Sequence, residues 1–282
     1  MPKPKELSFD EIIRIVRIFG SLGGKYIRLT GGEPLVRDDV VDLVKEIKKV
    51  RGIKEVCLTT NGVLLSRYAK ELKRAGLNRI NISLDSLKRE QFTSITGKNC
   101  LENVIDGIEL VNQLGFQKTK LNMVVMKGVN DDEIQPFIEF AKKKRLILRF
   151  IEFMKVTALW DEKYFISQED ILNICNAQYR FNKTEEKGPG PAEYYRNNDQ
   201  LIGFIRTSYE NCKQCSRLRV TSDGKLKLCL YEKEGVDLSG LLKEHDCGRT
   251  IKNIFKITFE NKKRISFRDF KEQELFMSNI GG

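Results

Sequence analysis

Five short runs rich in β-branched and apolar residues, at 25–30, 55–60, 78–84, 118–126 and 146–152, alternate with segments of helical periodicity. No other feature limits the fold as strongly. The runs begin 30, 23, 40 and 28 residues apart, room for a crossover helix between parallel strands each time. The expected class is therefore α/β, either an open doubly wound sheet or part of a (β/α) barrel. Val40, Leu43, Val44, Ile47 and Val50 share one helical face, with Asp38 and Asp39 ahead of them and Lys48 and Lys49 at the end, as the helix dipole prefers. Ser8-x-x-Glu11 reads as a capping box. Further helices are expected over roughly 63–75, 101–114 and 131–144. The series opens on a helix, so a strand ahead of it is expected to be missing from the chain.

Polar and glycine residues gather after the runs: Thr30-Gly31-Gly32-Glu33-Pro34, Thr59-Thr60-Asn61-Gly62, Ser83-Leu84-Asp85 and Glu152-Phe153-Met154. Parallel α/β folds carry their chemistry at these carboxyl ends. Neither the dinucleotide fingerprint nor a P-loop is present. Beyond residue 155 the alternation stops. A short helix is expected over 168–177 and a brief one over 238–244, with a Gly/Pro loop at 186–191 and short strands around a cysteine group. The chain thus divides into 1–154 and a smaller α+β module, 155–282.

Composition narrows the chemistry. Fifty Lys and Arg against 39 Asp and Glu leave a net charge of +11, which favours anionic partners. Interspersed acids make much of this a solvated surface. No apolar run is long enough to span a bilayer, and no export signal precedes the first helix, so a cytoplasmic chain without membrane contact is expected. Seven cysteines in that setting read as thiols or metal ligands. A single histidine, His245, excludes zinc sites that need several imidazoles.

Cys212-x2-Cys215-x13-Cys229 is the sharpest local motif. Two cysteines in a tight turn and a third from a neighbouring strand can hold zinc, with His245 or Cys247 as a fourth ligand, or an iron–sulfur cluster with one iron left open. Spacing alone puts zinc slightly ahead. Arg217 and Arg219 fall on the same side of an extended segment beside it, suited to carboxylate or phosphate. Arg28 and Lys120 lie within strands, as cations awaiting an anion or reaching the rim.

These motifs, in this order, together with Gly128-Val129-Asn130-Asp131-Asp132, Arg149-Phe150-Ile151-Glu152-Phe153-Met154 and a terminal Gly281-Gly282, resemble the GTP 3′,8-cyclase family of molybdenum-cofactor biosynthesis, radical S-adenosylmethionine enzymes. The resemblance runs from about residue 8 to the end. It implies a partial (β/α)6 barrel of radical-SAM type and a C-terminal module whose [4Fe–4S] cluster is held by Cys212, Cys215 and Cys229. It implies S-adenosylmethionine at Gly32, Ser83 and Met154, and GTP at Arg28, Thr59, Lys120, Arg217, Leu218 and Arg219. The diglycine tail is implied to reach the active site. In the family's reaction a 5′-deoxyadenosyl radical takes a hydrogen from the GTP ribose, and the carbon radical attacks guanine C8 to give (8S)-3′,8-cyclo-7,8-dihydroguanosine 5′-triphosphate.

The sequence departs from the family in lacking its N-terminal C-x3-C-x2-C loop, which binds a first [4Fe–4S] cluster, and an upstream GTP-contacting arginine. The turn after Met154 is short. As written the chain is expected to lack radical initiation, as a fragment or the product of a late-assigned start. An electron donor of unspecified identity and a homodimer complete the expectations. The competing readings are a GTP-binding cluster protein without turnover and a basic zinc-ribbon protein on nucleic acid. The last is disfavoured because no aromatic residues interleave with the basic ones as a stacking platform.

Overall fold

A computed structural model describes residues 6–116, 118–155, 160–186, 190–198, 200–206, 215–244 and 248–262. Helix α1, Phe9–Ser21, starts where the sequence marks it: Glu11 N donates to Ser8 Oγ (3.3 Å) and Ser8 N donates to Glu11 Oε2 (2.8 Å). Strands β1 (Tyr26–Leu29), β2 (Glu55–Thr60), β3 (Arg79–Ser83), β4 (Lys120–Val125) and β5 (Ile147–Glu152) follow, pairing in parallel in chain order. Helices α2 (Val40–Lys49), α3 (Leu65–Arg74), α4 (Arg89–Thr96), α5 (Leu101–Gln113) and α6 (Ile134–Lys143) lie between them. Only α4 had no counterpart in the sequence reading. Phe92 is its single buried residue, so it has no apolar stripe to betray it.

The sheet does not stop at residue 155. After α7 (Gln168–Asn176) come β6 (Asn182–Lys183), β7 (Glu193–Asn197) and β8 (Gln200–Ile205). Strand β8 adds in parallel to β5, and β7 and β6 continue antiparallel, giving the order β1-β2-β3-β4-β5-β8-β7-β6. Six strand steps separate β1 from β7, roughly 29 Å on a flat sheet. Arg28 on β1 and Tyr194 on β7 nevertheless interact electrostatically, so the sheet curls into a partial barrel.

One apolar core fills the space between helices and sheet. Val56, Leu58, Ile80, Ile82, Leu121, Met123, Leu148, Phe150, Ile202 and Phe204 supply the strand side. A second, smaller core joins α1 to the antiparallel ribbon β9 (Arg219–Val220), β10 (Lys225–Lys227) and β11 (Val236–Asp237), and to α8 (Gly248–Lys262). Leu7, Ile15, Ile18, Leu226, Leu238, Ile251 and Phe255 build it. It anchors the cysteine-bearing segment to the first helix of the barrel. The expected helix at 238–244 is a single 3-10 turn, Leu241–Lys243, and α8 lies where no helix was expected. No described helix is long and apolar enough to cross a membrane.

Candidate active site

Alternation along a strand sends neighbouring side chains to opposite faces. Strand register therefore says which residues share the face away from the core. Arg28 pairs with Cys57, and Cys57 with Arg79. Thr59 pairs with Asn81, and Asn81 with Lys120. Ser83 leads to Asn122, Arg149, Gly203 and Tyr194. This face is polar through its depth, not at the strand tips alone.

Four cations stand on this wall: Arg28, Arg79, Lys120 and Arg149. Lys120 is 8% and Arg149 4% exposed, while solvent reaches Arg28 from the open side. Burial and the nearby Arg149, Arg79 and Arg28 bring the Lys120 ammonium down to about 7. Burial lowers Arg149 to about 10 and also lowers Arg28, where Arg217 and Arg79 add to the effect. Loss of solvation is the larger cause of these shifts, and repulsion among the cations adds to it. Neutral partners keep the wall in place. Arg149 Nε donates to Asn122 Oδ1 (2.9 Å), and Asn81 Nδ2 donates to Thr59 Oγ1 (3.1 Å). Arg79 forms an ion pair with Glu55. Gly203 is a requirement of packing here: a Cβ would fall 2.9 Å from the Tyr194 ring and 3.1 Å from Arg149 Cγ.

The C-terminal segment closes on the same hollow. Arg217 and Arg219 act on Arg28 or are acted on by it, and both Cys215 and Cys229 raise the Arg219 guanidinium against the dominant effect of burial, which leaves it near 10. Burial alone would push the Cys215 thiol up. The charge and hydrogen bonds of Arg217, with Lys262, bring it down to about 7. Such surroundings favour a thiolate, the ligand form that iron or zinc requires. Cys212, like His245, Cys247 and the diglycine tail, lies outside the described residues. Of the three expected cluster ligands, Cys215 and Cys229 lie among the described residues, where no group of three metal-binding side chains is assembled. Cys175, in contrast, is pushed up to about 12 by burial and belongs to the core.

Gly32, Ser83 and Met154 follow or end β1, β3 and β5, at one end of the sheet. Next to Gly32, a Cβ on Gly31 would meet no atom within 4 Å, so this backbone is open to a ligand. The Tyr231 hydroxyl donates to Met154 Sδ (3.8 Å), tying the β5 tip to the loop that carries Cys229. The other strand-end motifs are structural. Glu33 accepts from Thr60 Oγ1 (2.7 Å), Asn61 N (2.7 Å) and Leu35 N (3.0 Å), clamping the β1 and β2 tips together. Asn130, fully buried, donates to the carbonyls of Asp85 (2.8 Å) and Val124 (2.9 Å) and accepts from Met126 N (2.7 Å). Asp85 in turn accepts from Val124 N (2.8 Å).

Of the residues implied by resemblance, Arg28, Thr59 and Lys120 share the polar face, and Arg217 and Arg219 adjoin it. Leu218 packs against the second core. Sequence reasoning passed over Arg79, Asn122 and Tyr194, and took Asn81 and Arg149 only as parts of motifs. Their signal is the polar parity on β3, β4 and β5.

A curled, mostly parallel sheet with an open polar interior is the architecture of radical-SAM enzymes. The chain matches the Radical SAM superfamily over residues 1–141 and Molybdenum Cofactor Synthesis C over 146–267. In fold it is similar to SuiB of Streptococcus suis (TM-score 0.59, 15% identity, covering 88% of this chain and 62% of that one). Over 100% of its length it is 39% identical to a GTP 3′,8-cyclase of Thermodesulfovibrio yellowstonii, spanning 89% of that protein. It is 41% identical to the GTP 3′,8-cyclase of Peptoclostridium acidaminophilum, with 98% of this chain and 86% of the relative aligned. The chain belongs to the GTP 3′,8-cyclase family.

Proposed function

We propose that this chain acts in molybdenum-cofactor biosynthesis, binding GTP in the polar hollow for cyclisation to (8S)-3′,8-cyclo-7,8-dihydroguanosine 5′-triphosphate. The observation that carries the reading is the convergence of Arg28, Lys120, Arg149, Arg217 and Arg219 on one hollow, where burial of most of them and their neighbouring positive charges call for an anionic ligand. Membership of the GTP 3′,8-cyclase family supports GTP as that ligand.

Residues 1–154 supply Arg28, Thr59 and Lys120 for GTP, and Gly32, Ser83 and Met154 for S-adenosylmethionine. Residues 155–282 supply Arg217, Leu218 and Arg219 for GTP, and Cys212, Cys215 and Cys229 for a [4Fe–4S] cluster. Guanidinium groups grip phosphate oxygens through paired N–H donors, while Lys120 offers a point charge that a bound anion keeps protonated. The hydrogen abstraction that lets the GTP ribose join guanine C8 would come from S-adenosylmethionine with the family's first [4Fe–4S] cluster, whose C-x3-C-x2-C loop is not in this sequence, and an external electron donor. The surrounding wall holds ribose and base close together and restricts water.

Anaerobic reconstitution of the full chain, followed by iron, sulfide and zinc analysis, tests the assignment. About four irons per chain are expected at the C-terminal cysteines. They are lost in Cys215→Ala and retained in Cys100→Ala. A colourless protein holding zinc alone, with no measurable GTP binding, overturns it.

A further inference from the structure

We propose that the polar hollow takes its nucleoside triphosphate as the metal-free polyanion and discriminates against the magnesium complex. This rests on the GTP reading above and names the ionic form of that substrate.

The donor set is the reason. Magnesium bridging phosphates is held in proteins by one or two carboxylates that complete its octahedral oxygen shell. Among the described strand residues, the register places one carboxylate, Glu55, with the cations of the sheet face, and it is already paired with Arg79. The other polar groups between the cations are neutral: Thr59, Asn81, Ser83 and Asn122. Two of them are already engaged with each other, Asn81 with Thr59, and Asn122 holds Arg149.

Charge acts in the same direction. Arg28, Lys120, Arg149, Arg217 and Arg219 make no ion pair with any described carboxylate. A free triphosphate carries about four negative charges near neutral pH, and chelated magnesium halves that. The complex would therefore neutralise the wall less well. It would also bring a dication against cations that burial and one another's charge already disfavour, as in Lys120 and Arg219. Free nucleotide relieves that repulsion, and its oxygens remain available to Arg forks.

Equilibrium dialysis or calorimetry of the full chain with GTP tests this, comparing EDTA with magnesium in large excess. Sodium chloride equalises the ionic strength, so that screening is common to both arms. Magnesium is expected to weaken the apparent affinity about tenfold or more. Equal or tighter binding with magnesium overturns the inference and leaves the GTP reading intact. Absence of GTP binding in both buffers overturns the two together. Asn122→Asp provides an independent arm, because it sets a carboxylate beside Arg149 and among the phosphate donors. The free-nucleotide preference should narrow in that variant. A preference that stays the same or widens counts against the inference.

Discussion

The two faces of the eight-stranded sheet are built from alternate residues of the same strands, and they obey different rules. Toward the helices, Leu58, Ile80, Ile82, Leu121, Leu148 and Phe150 are fully buried hydrocarbon. Toward the hollow, the register partners are Arg28, Cys57, Arg79, Thr59, Asn81, Lys120, Asn122 and Arg149. A parallel strand covered by helices on both faces reads as continuous hydrophobic sequence. Polar alternation within parallel strands therefore marks a face that no helix covers. Among the described residues that face carries one carboxylate, Glu55 on Arg79, while Arg28, Lys120 and Arg149 have no carboxylate in ion-pair contact. One face secures the fold, and the other is set up for something the chain does not contain.

The comparison breaks first on stability. Phe150 is fully buried, its ring 5.7 Å from that of Phe204. Phe150→Ala should cost about 3–5 kcal/mol through lost burial and the cavity left behind, measured by urea unfolding. Its neighbour in sequence, Arg149, faces the hollow instead. If GTP affinity of folded Phe150→Ala protein falls more than the unfolding midpoint accounts for, the two faces are not independent.

Charge reversal on the polar face should give the opposite pattern. Arg28→Glu is expected to weaken GTP binding about 100-fold, equivalent to about 2.7 kcal/mol, with thermal stability unchanged or raised. Arg28 is reached by solvent and sits among Arg79, Arg149 and Arg217, so an acid there relieves repulsion while removing a phosphate donor. Binding titrations beside a melting curve separate the effects. A variant that melts much earlier and binds normally would make Arg28 a structural residue.

How much of this was legible in the sequence differs between the faces. The five βα units were visible because helix and strand periods persist over long windows and every helix between the strands except α4 has an apolar stripe. Strands β7 and β8 were harder: the parallel pairing of β8 to β5 depends on a contact across some fifty residues, which no local pattern encodes. On the polar face, Arg28 and Lys120 stood out as cations inside apolar runs. Arg79 did not, because it opens its strand and looks like a flanking charge. Only register places it beside Cys57, and so in the same layer as Arg28. Asn81 stood out only as one letter of a motif and Asn122 as an ordinary polar interruption, until pairing puts them between cations. Glu33 and Asn130 sit in motifs that carried the resemblance, yet their side chains are spent on strand-tip amides and carbonyls. A motif can thus identify a family through residues that hold the site together without touching what it binds.

The smallest expected effect concerns the titration of Lys120. In the unfolded chain this ammonium keeps its proton to about 10.5, and in the fold to about 7. Between those values the unfolded state binds the additional proton, so this group makes stability rise with pH across that window. The penalty of holding the charged form is fully present below pH 7 and gone above 10.5. Lys120→Met removes it and should therefore melt a few degrees higher than the parent near pH 7, with the advantage fading toward pH 10. GTP reverses the sign, because a polyanion beside Lys120 restores its proton. Binding above pH 7 should take up a proton in the parent chain and less of one in Lys120→Met, and the parent's affinity should weaken as pH rises through 7–9. Calorimetry in buffers of different ionisation enthalpy reads that proton directly. Equal uptake by both proteins would move the coupling off Lys120 and onto another cation of the wall.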